Sequence, residues 1–581
     1  MTFQRFFNAI LNRTKKLRRI KYLPGYLKRF YYWNKRHDLY LPIQAFGCSN
    51  KVYKFQNAYS FSKNIKFSIL VPLYNTPEKF LLEMIGSVIF QTYENWELCL
   101  ADGSDSEHDY IEKICNEIIK TEKRIKYTKL KSNKGISENT NECIKMATGD
   151  YISLFDHDDL LHPYALFETM KAICDKNADF VYTDEAIFQS PYLPKIRNTN
   201  FKPDFSPDYF HSTNYLCHFS SFKSSLLSKA GLFNSKTDGA QDYDLFLRLS
   251  EHTGNIIHVP KCLYYWRASP TSTASGIQTK TYAIEAGKLA LQDHYKRCSI
   301  KAVVSTDKSI LYKTSYLISK TPLISIIIIN KNTKQLIECI KSIKKHTTYN
   351  NFEIIIIKKD SSPNLFNELS IKELNWSNSI NYAAMNNFGV NNSKGEILLF
   401  LDCYTRVITD NWLSEMLMFA QRKETGIVGA KILNMNNTIY NAGYILGTKK
   451  IFQISHYKWP ANENGYAFRA ATVQNFNAVS AECMMITKEL FFKYGGFSEQ
   501  YTKSFYDIDL CIRLRKDNYL IIWTPFAELY YSNKIGYHNN ISEKAIIKQV
   551  ISQLISQNDP YYNPNLSNTK SFEISGSLFP N

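Results

Sequence analysis

Asp156-His-Asp158-Asp159 places carboxylates at i and i+2 directly after the apolar run Tyr151-Ile-Ser-Leu-Phe155. Acids so spaced, where a buried strand leaves its sheet, can set oxygens around one hard cation. Mg²⁺ or Mn²⁺ held this way keeps open positions for phosphate oxygens, and as a Lewis acid it neutralises a departing diphosphate. The same residues also suit a solvated turn in which Asp158 or Asp159 caps a helix. Asp242 and Asp244 precede a helix-like run from Leu245 to Glu251. One of them could take a proton from an attacking hydroxyl; both could instead be partners of a helix dipole. Asp102-Gly-Ser104 follows another apolar run and could accept hydrogen bonds from a base or ribose, or simply form a turn. Each of these strings is common when taken alone.

The elements that must carry them are written twice. Phe67-Ser-Ile-Leu-Val-Pro-Leu-Tyr-Asn75 and Ile324-Ser-Ile-Ile-Ile-Ile-Asn330 are apolar runs closed by a turn, and each predicts a buried strand. A helical pattern follows each (Leu81 to Phe90, Leu336 to Ile343), then a second apolar strand (Trp96 to Leu100, Phe352 to Ile357). Tyr151-Ile-Ser-Leu-Phe155 before Asp156 is answered by Ile397-Leu-Leu-Phe-Leu401 before Asp402-Cys-Tyr404-Thr405. Asp242-Tyr-Asp-Leu-Phe-Leu-Arg248 is answered by Asp507-Ile-Asp-Leu-Cys-Ile-Arg513. Gly231 and Gly495 lie 264 residues apart, Asp242 and Asp507 265. That order and spacing define a tandem duplication. Strands alternating with helices predict α/β domains with largely parallel sheets. Ligands of such sheets bind beyond the carboxyl ends of the strands, where Asp102 and the Asp156 cluster fall.

Taken together and in order, these stretches resemble the family 2 glycosyltransferases. Over residues 66–275 the matching stretches are Val71-Pro-Leu-Tyr-Asn75, Asn133-Lys-Gly-Ile-Ser137, Leu154-Phe-Asp-His-Asp-Asp159, Phe201-Lys-Pro-Asp-Phe-Ser-Pro207, Gln241-Asp-Tyr-Asp-Leu245 and Leu263-Tyr-Tyr-Trp-Arg267. Over residues 321–535 they include Asn381-Tyr-Ala-Ala-Met-Asn-Asn387, Ser393-Lys-Gly-Glu-Ile397, Val428-Gly-Ala-Lys431 and Tyr494-Gly-Gly-Phe497. The resemblance implies two tandem GT-A domains, inversion at the anomeric carbon, and a nucleotide-sugar donor. It places nucleotide-sugar contacts at Tyr74, Asn75, Asp102 and Asp156, the metal (Mn²⁺ or Mg²⁺) at Asp156 and Asp158, and catalytic bases at Asp242 and Asp507. A possible second-domain site comprises Asn330, Asp402 and Thr405. The acceptor would be a glycan or lipid-linked glycan, as in bacterial surface polysaccharide or O-antigen assembly.

The chain departs from that pattern in three places. Tyr404 stands where the second domain usually has an acid, and Tyr506 precedes Asp507 where a polar or acidic residue is usual. A histidine often found beyond the base is absent: the positions read Tyr264-Tyr265 and Tyr530-Tyr531-Ser532.

Composition bounds the remaining possibilities. The 581 residues, 44% hydrophobic and 21% charged, suit a folded protein of two or three domains. Twelve cysteines form no CxxC pair, which argues against zinc or disulfide scaffolds and for a reducing compartment. The net charge of +18 is concentrated at the start, where residues 1–40 hold eleven Lys/Arg against Asp38. Phe3, Phe6, Phe7, Ile10, Leu11 and Leu17 interleave with them, the pattern of a helix lying on an anionic membrane surface. Outside that segment the excess is small, so nucleic acid is not an expected partner. No signal peptide is read at the N-terminus, and the longest apolar runs are strand-length, too short to span a bilayer. The expected location is cytoplasmic, peripheral on the inner face of the membrane. The expected organisation is a basic amphipathic extension (1–60), a first GT-A domain (61–305), a linker (306–322), a second GT-A-like domain (323–538), and a C-terminal helix and tail (539–581).

Overall fold

A computed structural model describes residues 52, 55–56, 58–188, 198–268, 281–307, 309–359, 365–366, 370–448, 451–533, 541–554 and 559–574. The basic segment 1–40 lies outside the described residues.

The first sheet is built from β1 (Phe67–Leu73), β2 (Trp96–Asp102), β3 (Ile125–Lys129), β4 (Tyr151–Leu154), β5 (Leu160–Leu161), β6 (Phe180–Phe188), β7 (Asn198–Asn200), β8 (Ser220–Lys223) and β9 (Ile256–Arg267). A hairpin of β10 (Ala302–Thr306) and β11 (Tyr312–Tyr316) follows. The second half supplies β12 (Ile324–Ile329), β13 (Phe352–Lys359), β14 (Ile371–Trp376), β15 (Ile397–Asp402), β16 (Thr405–Val407), β17 (Thr425–Asn434) and β18 (Ile439–Asn441). It continues through β19 (Tyr444–Thr448), β20 (Ile451–Ile454), β21 (Gln474–Phe476), β22 (Cys483–Thr487) and β23 (Leu520–Tyr531).

The strand order is β3-β2-β1-β4-β8-β6-β9-β5 in the first sheet and β14-β13-β12-β15-β22-β17-β23-β16 in the second. Position by position these are one topology, so the chain folds as two tandem α/β domains of the expected kind. The central strands are parallel and covered on both faces, hence the unbroken apolar runs of β1 and β12. The helix Thr333–His346 shows how a strand is covered. Asn332 caps it, its side chain accepting from Gln335 N at 3.1 Å, and Leu336, Cys339, Ile340 and Ile343 form its buried stripe.

The duplication extends to polar details inside the core. Ser68 Oγ donates to Glu97 (2.7 Å) and accepts from Gly149 N (2.8 Å); Ser325 Oγ donates to Glu353 (2.6 Å) and accepts from Gly395 N (2.8 Å). A Cβ on either glycine would come within 2.6 or 2.5 Å of that serine oxygen, which explains the glycines.

The segment expected to be a linker is structured. Tyr312, Thr314 and Tyr316 alternate inward from β11, a period of two among polar residues. Tyr312 stacks on Tyr243 of the first domain (6.1 Å between centroids), and Tyr316 packs edge-on against Phe419 of the second (5.6 Å). The C-terminal helix forms at Ile541–Leu554. The tail beyond it returns to the first domain, where Asn563 Nδ2 donates to Asp184 (2.9 Å) and to the Lys202 carbonyl (2.9 Å). Asp208, itself buried, pairs with Arg422 (2.5 Å) and accepts from Asn475 Nδ2 (2.7 Å). A buried carboxylate that takes its partners from the other domain makes the two halves one packed unit.

Candidate active site

The loop after β4 and the helix Gln241–Ser250 bring Asp156 and Asp242 to one cleft of about 930 Å³, which His218, Cys217 and Trp266 also line. His218 Nε2 stands 3.3 Å from Asp156 Oδ2, and its ring stacks on Tyr264 (4.8 Å, 17°). Burial by itself would raise the Asp156 carboxyl, but the neighbouring His218 charge holds it below its ordinary value. Burial would lower His218, but Cys217 and Asp156 push it well above the usual imidazole range. Asp242 is held in place by Asn214 Nδ2 and by its own helix's Tyr243 N–H, both at 2.8 Å. Burial raises its carboxyl, against the opposing pull of His218, so this carboxylate is a stronger proton acceptor than an exposed one. The far wall of the cleft belongs to the second domain, residues 465–468. Tyr466 OH there accepts from Phe201 N and donates to the Thr199 carbonyl, both at 2.8 Å.

The remaining acids have structural partners. Asp159 is fully buried and accepts from Arg267 N (2.7 Å) and Tyr264 OH (2.5 Å), tying the loop to β9; burial and the adjacent acids raise it well above a normal carboxyl. Asp158 is raised by burial and does not line the cleft; its main-chain carbonyl accepts from Arg267 Nε (2.5 Å). Asp244 clamps Arg248 (2.6 Å), whose other arm reaches the Ala230 carbonyl beside Gly231. Asp509, Arg513 (2.7 Å) and the Tyr494 carbonyl beside Gly495 repeat this. Both glycines take positive φ, +80° and +73°, a backbone state side chains disfavour.

The corresponding cleft of the second domain, about 270 Å³, is lined by Lys331, Asp402, Glu482 and Asp507 among tyrosines. Lys331 Nζ donates to Asp402 Oδ2 (2.7 Å) and lies 4.4 Å from the centre of the Tyr382 ring. Asp507 accepts from Ala481 N (3.1 Å) and Ile508 N (2.9 Å); burial pushes it up to about 6. Glu482 is pushed up to about 8 by burial and by the charges of Asp507 and Asp402. Among the described residues its Oε2 is buried without a hydrogen-bond partner.

The family model for glycosyl transferase family 2 matches the chain twice, at residues 68–232 and 325–491, one match per domain. The chain belongs to glycosyl transferase family 2. Relatives of this family 2 chain include the uncharacterized protein y4gI of Sinorhizobium fredii, 35% identical over 86% of this chain and 57% of that protein. The O-antigen biosynthesis protein RfbC of Myxococcus xanthus is 30% identical over 87% of this chain and 41% of its own length. The chain thus spans about half the length of these relatives. Among solved structures, S. aureus TarS 1-349 in complex with UDP-GlcNAc matches with 19% identity and a TM-score of 0.33, over 39% of this chain and 65% of that one.

Within this family 2 frame the expected residues fall as follows. Tyr74 is exposed at the end of β1. Asn75, in a left-handed conformation (φ +47°), donates its N–H to Ser104 Oγ (2.8 Å) and its side-chain amide to Asp105 (2.8 Å). Asp102 is fully buried and accepts from Ser104 N (2.8 Å), Tyr127 OH (2.7 Å) and Lys129 (2.9 Å). In the second domain Thr405 is buried, donating to the Asp402 carbonyl (2.7 Å), and Asn330 contacts Thr333 (3.3 Å) rather than the cleft.

Among the cleft residues not legible in the sequence are His218, Glu482 and Lys331. A histidine does reach the first cleft: His218, two residues before β8 begins. Strand register relates the two domains. Leu154 pairs with Ser220 and Phe400 with Met484, so His218 and Glu482, each two residues earlier, are counterparts. Phe67 and Ile324 share their partners' positions in the sheets, which makes Lys331 the counterpart of Tyr74.

The first cleft's donor set fits a divalent cation of the kind family 2 enzymes generally use. The Asp156 carboxylate is 37% exposed to the cleft, while Cys217, His218 and Asp242 present donor atoms within 4.8 Å of one another. Carboxylate oxygens suit Mg²⁺ or Mn²⁺. The Cys217 thiol, raised by burial, stays protonated and is the weakest of these donors.

Proposed function

We propose that this chain transfers a sugar, with inversion, from a nucleotide-diphosphate donor to a growing glycan in surface polysaccharide synthesis. The chemistry takes place in the first cleft. The observation that carries this reading is the convergence of Asp156 and Asp242 on that cleft. The acceptor hydroxyl gives its proton to Asp242 as its oxygen bonds to the anomeric carbon. The carbon–oxygen bond to the diphosphate breaks, and its electron pair leaves with the phosphate. Asn214 and the Tyr243 N–H keep the Asp242 carboxylate aimed during this transfer. Tyr74, Asn75 and Asp102 contact the nucleoside. Asp156, which lines the cleft, would hold Mn²⁺ or Mg²⁺ there, and that cation would supply charge stabilisation to the diphosphate. Residues 465–468 of the second domain close the acceptor side and keep water from the anomeric carbon.

No helix among the described residues is long and apolar enough to cross a membrane. The basic, apolar-interleaved segment 1–40 supports a peripheral position on the anionic cytoplasmic face, close to a lipid-linked acceptor.

Asp242→Asn keeps the shape of the side chain but cannot take the proton. We expect transfer to fall roughly a thousandfold, with nucleotide binding retained by calorimetry. Transfer within a factor of three of the parent would remove Asp242 as the base.

A further inference from the structure

We infer that the second cleft is a binding site for a neutral sugar unit of a glycan and works without a divalent cation. The first support is charge. Lys331 stands on Asp402 at 2.7 Å, so the aspartate equivalent to Asp156 already has a cation, carried by the chain itself. The second is the loss of groups suited to a nucleotide. The counterpart of Asp102 by strand register is Lys358, buried and paired with Glu373 at 3.5 Å. Tyr404 replaces Asp158, and Glu482 replaces His218. A nucleoside diphosphate would bring two or more negative charges beside three acids, Asp402, Asp507 and Glu482, where the first domain has His218 in place of the third.

Size points the same way. The cleft holds about 270 Å³ against about 930 Å³ in the first domain. It lies just below the range of roughly 300–1,000 Å³ typical of sites for drug-sized ligands. That smaller space favours one sugar ring over a whole nucleotide sugar.

What lines the cleft is the chemistry that recognises sugars. Tyr440 stacks on the buried Tyr531 at 4.5 Å and 28°, with Tyr404 edge-on to Tyr531 at 6.1 Å, and the half-buried rings of Tyr404 and Tyr440 offer apolar surface to the C–H side of a pyranose. Burial and the charges of Asp507 and Asp402 favour the protonated form of Glu482, whose carboxyl then donates, while Asp507 accepts, which together match a pair of hydroxyls. This site does not depend on the first cleft's chemistry, since its occupant is held and not transformed.

The test is retention of the full-length protein on an array of neutral oligosaccharides in the presence of EDTA. We expect retention on at least one glycan, reduced at least tenfold by Tyr440→Ala and by Glu482→Leu but not by Glu482→Gln, whose amide still donates and accepts. Tyr404→Ala, at a partly exposed position, serves if Tyr440→Ala lowers the thermal midpoint. Absence of retention on every glycan would overturn the inference. So would retention that requires Mn²⁺, or retention unchanged in the Tyr404, Tyr440 and Glu482→Leu variants, which would place the glycan in the first cleft. Calorimetry with UDP and Mn²⁺ gives a separate reading, since two sites per chain would also overturn it. Asp242→Asn would leave retention intact while abolishing transfer, so failure of the catalytic reading and failure of this one are distinguishable.

Discussion

In the first cleft Asp156 faces solvent beside His218; in the second Asp402 is covered by Lys331. The strands beneath are the same, with the same serine–glutamate–glycine contact and the same aspartate–arginine clamp behind the base. The sheet fixes where acids converge, because strand ends and the following helix place them there whatever the lip residues are. At the end of the first strand stands Tyr74 in one domain and Lys331 in the other, and Lys331 gives Asp402 a cation carried by the chain itself. Scaffold and lip residues therefore vary independently, and the second half has kept the first while exchanging the second.

The clamp tests the shared part of this comparison and carries the largest expected effect on stability. Arg248→Met leaves Asp244 buried and unpaired, and should cost about 3–5 kcal/mol. Arg513→Met strips Asp509 likewise, but Arg513 is 27% exposed against 11% for Arg248, so a smaller loss is expected. Urea denaturation of the two variants would show both losses. A neutral result for either would mean that its clamp is not part of the common scaffold.

The lip tests the divergent part. A nucleotide present at a hundred times its dissociation constant stabilises a protein by about 2.7 kcal/mol. Asp156→Asn should abolish the Mn²⁺-dependent share of that gain, whereas Asp402→Asn should leave it intact. Thermal shifts with UDP, GDP and CDP, each with and without Mn²⁺, would measure both. Loss of the Mn²⁺ effect in Asp402→Asn would reverse the assignment of the two clefts.

The sequence made the duplication, the α/β class and the convergence of Asp156 with Asp242 legible, because each leaves a local signature: an apolar run, a turn, an acid at a helix start. His218 and Glu482 left none. They reach their acids across the antiparallel pairs β4–β8 and β15–β22, about 60 and 80 residues away in the chain, and only register reveals that they correspond. Lys331 is an ordinary polar residue after a strand, and nothing nearby in sequence announces Asp402. The hairpin at Tyr312 was hidden by its polar alternate residues, which made a packed segment look like a linker. The second-domain wall at residues 465–468 contacts first-domain groups more than 250 positions away, a relation no short window contains.

The smallest effect separates the clefts by their response to pH. Glu482 faces Asp507, Asp402, Lys331 and Tyr531, and its carboxyl lies near 8 in the folded protein against an ordinary value of 4.5. A folded-state value above the unfolded one means that the native chain binds the proton more tightly. Its contribution to stability is therefore complete below about 4.5 and is lost as pH rises through about 8. Between those limits the slope is at most about 1.4 kcal/mol per pH unit, reduced by whatever water reaches the cleft. Glu482→Gln has no proton to lose, so its urea midpoint should fall less than the parent's between pH 5 and pH 8. Other acids that titrate in this window, Asp507 among them, are present in both proteins and largely cancel in the difference, apart from their coupling to Glu482. Parallel midpoints across the window would show that Glu482 is ionised at neutral pH. It would then accept from a ligand hydroxyl and not donate to one.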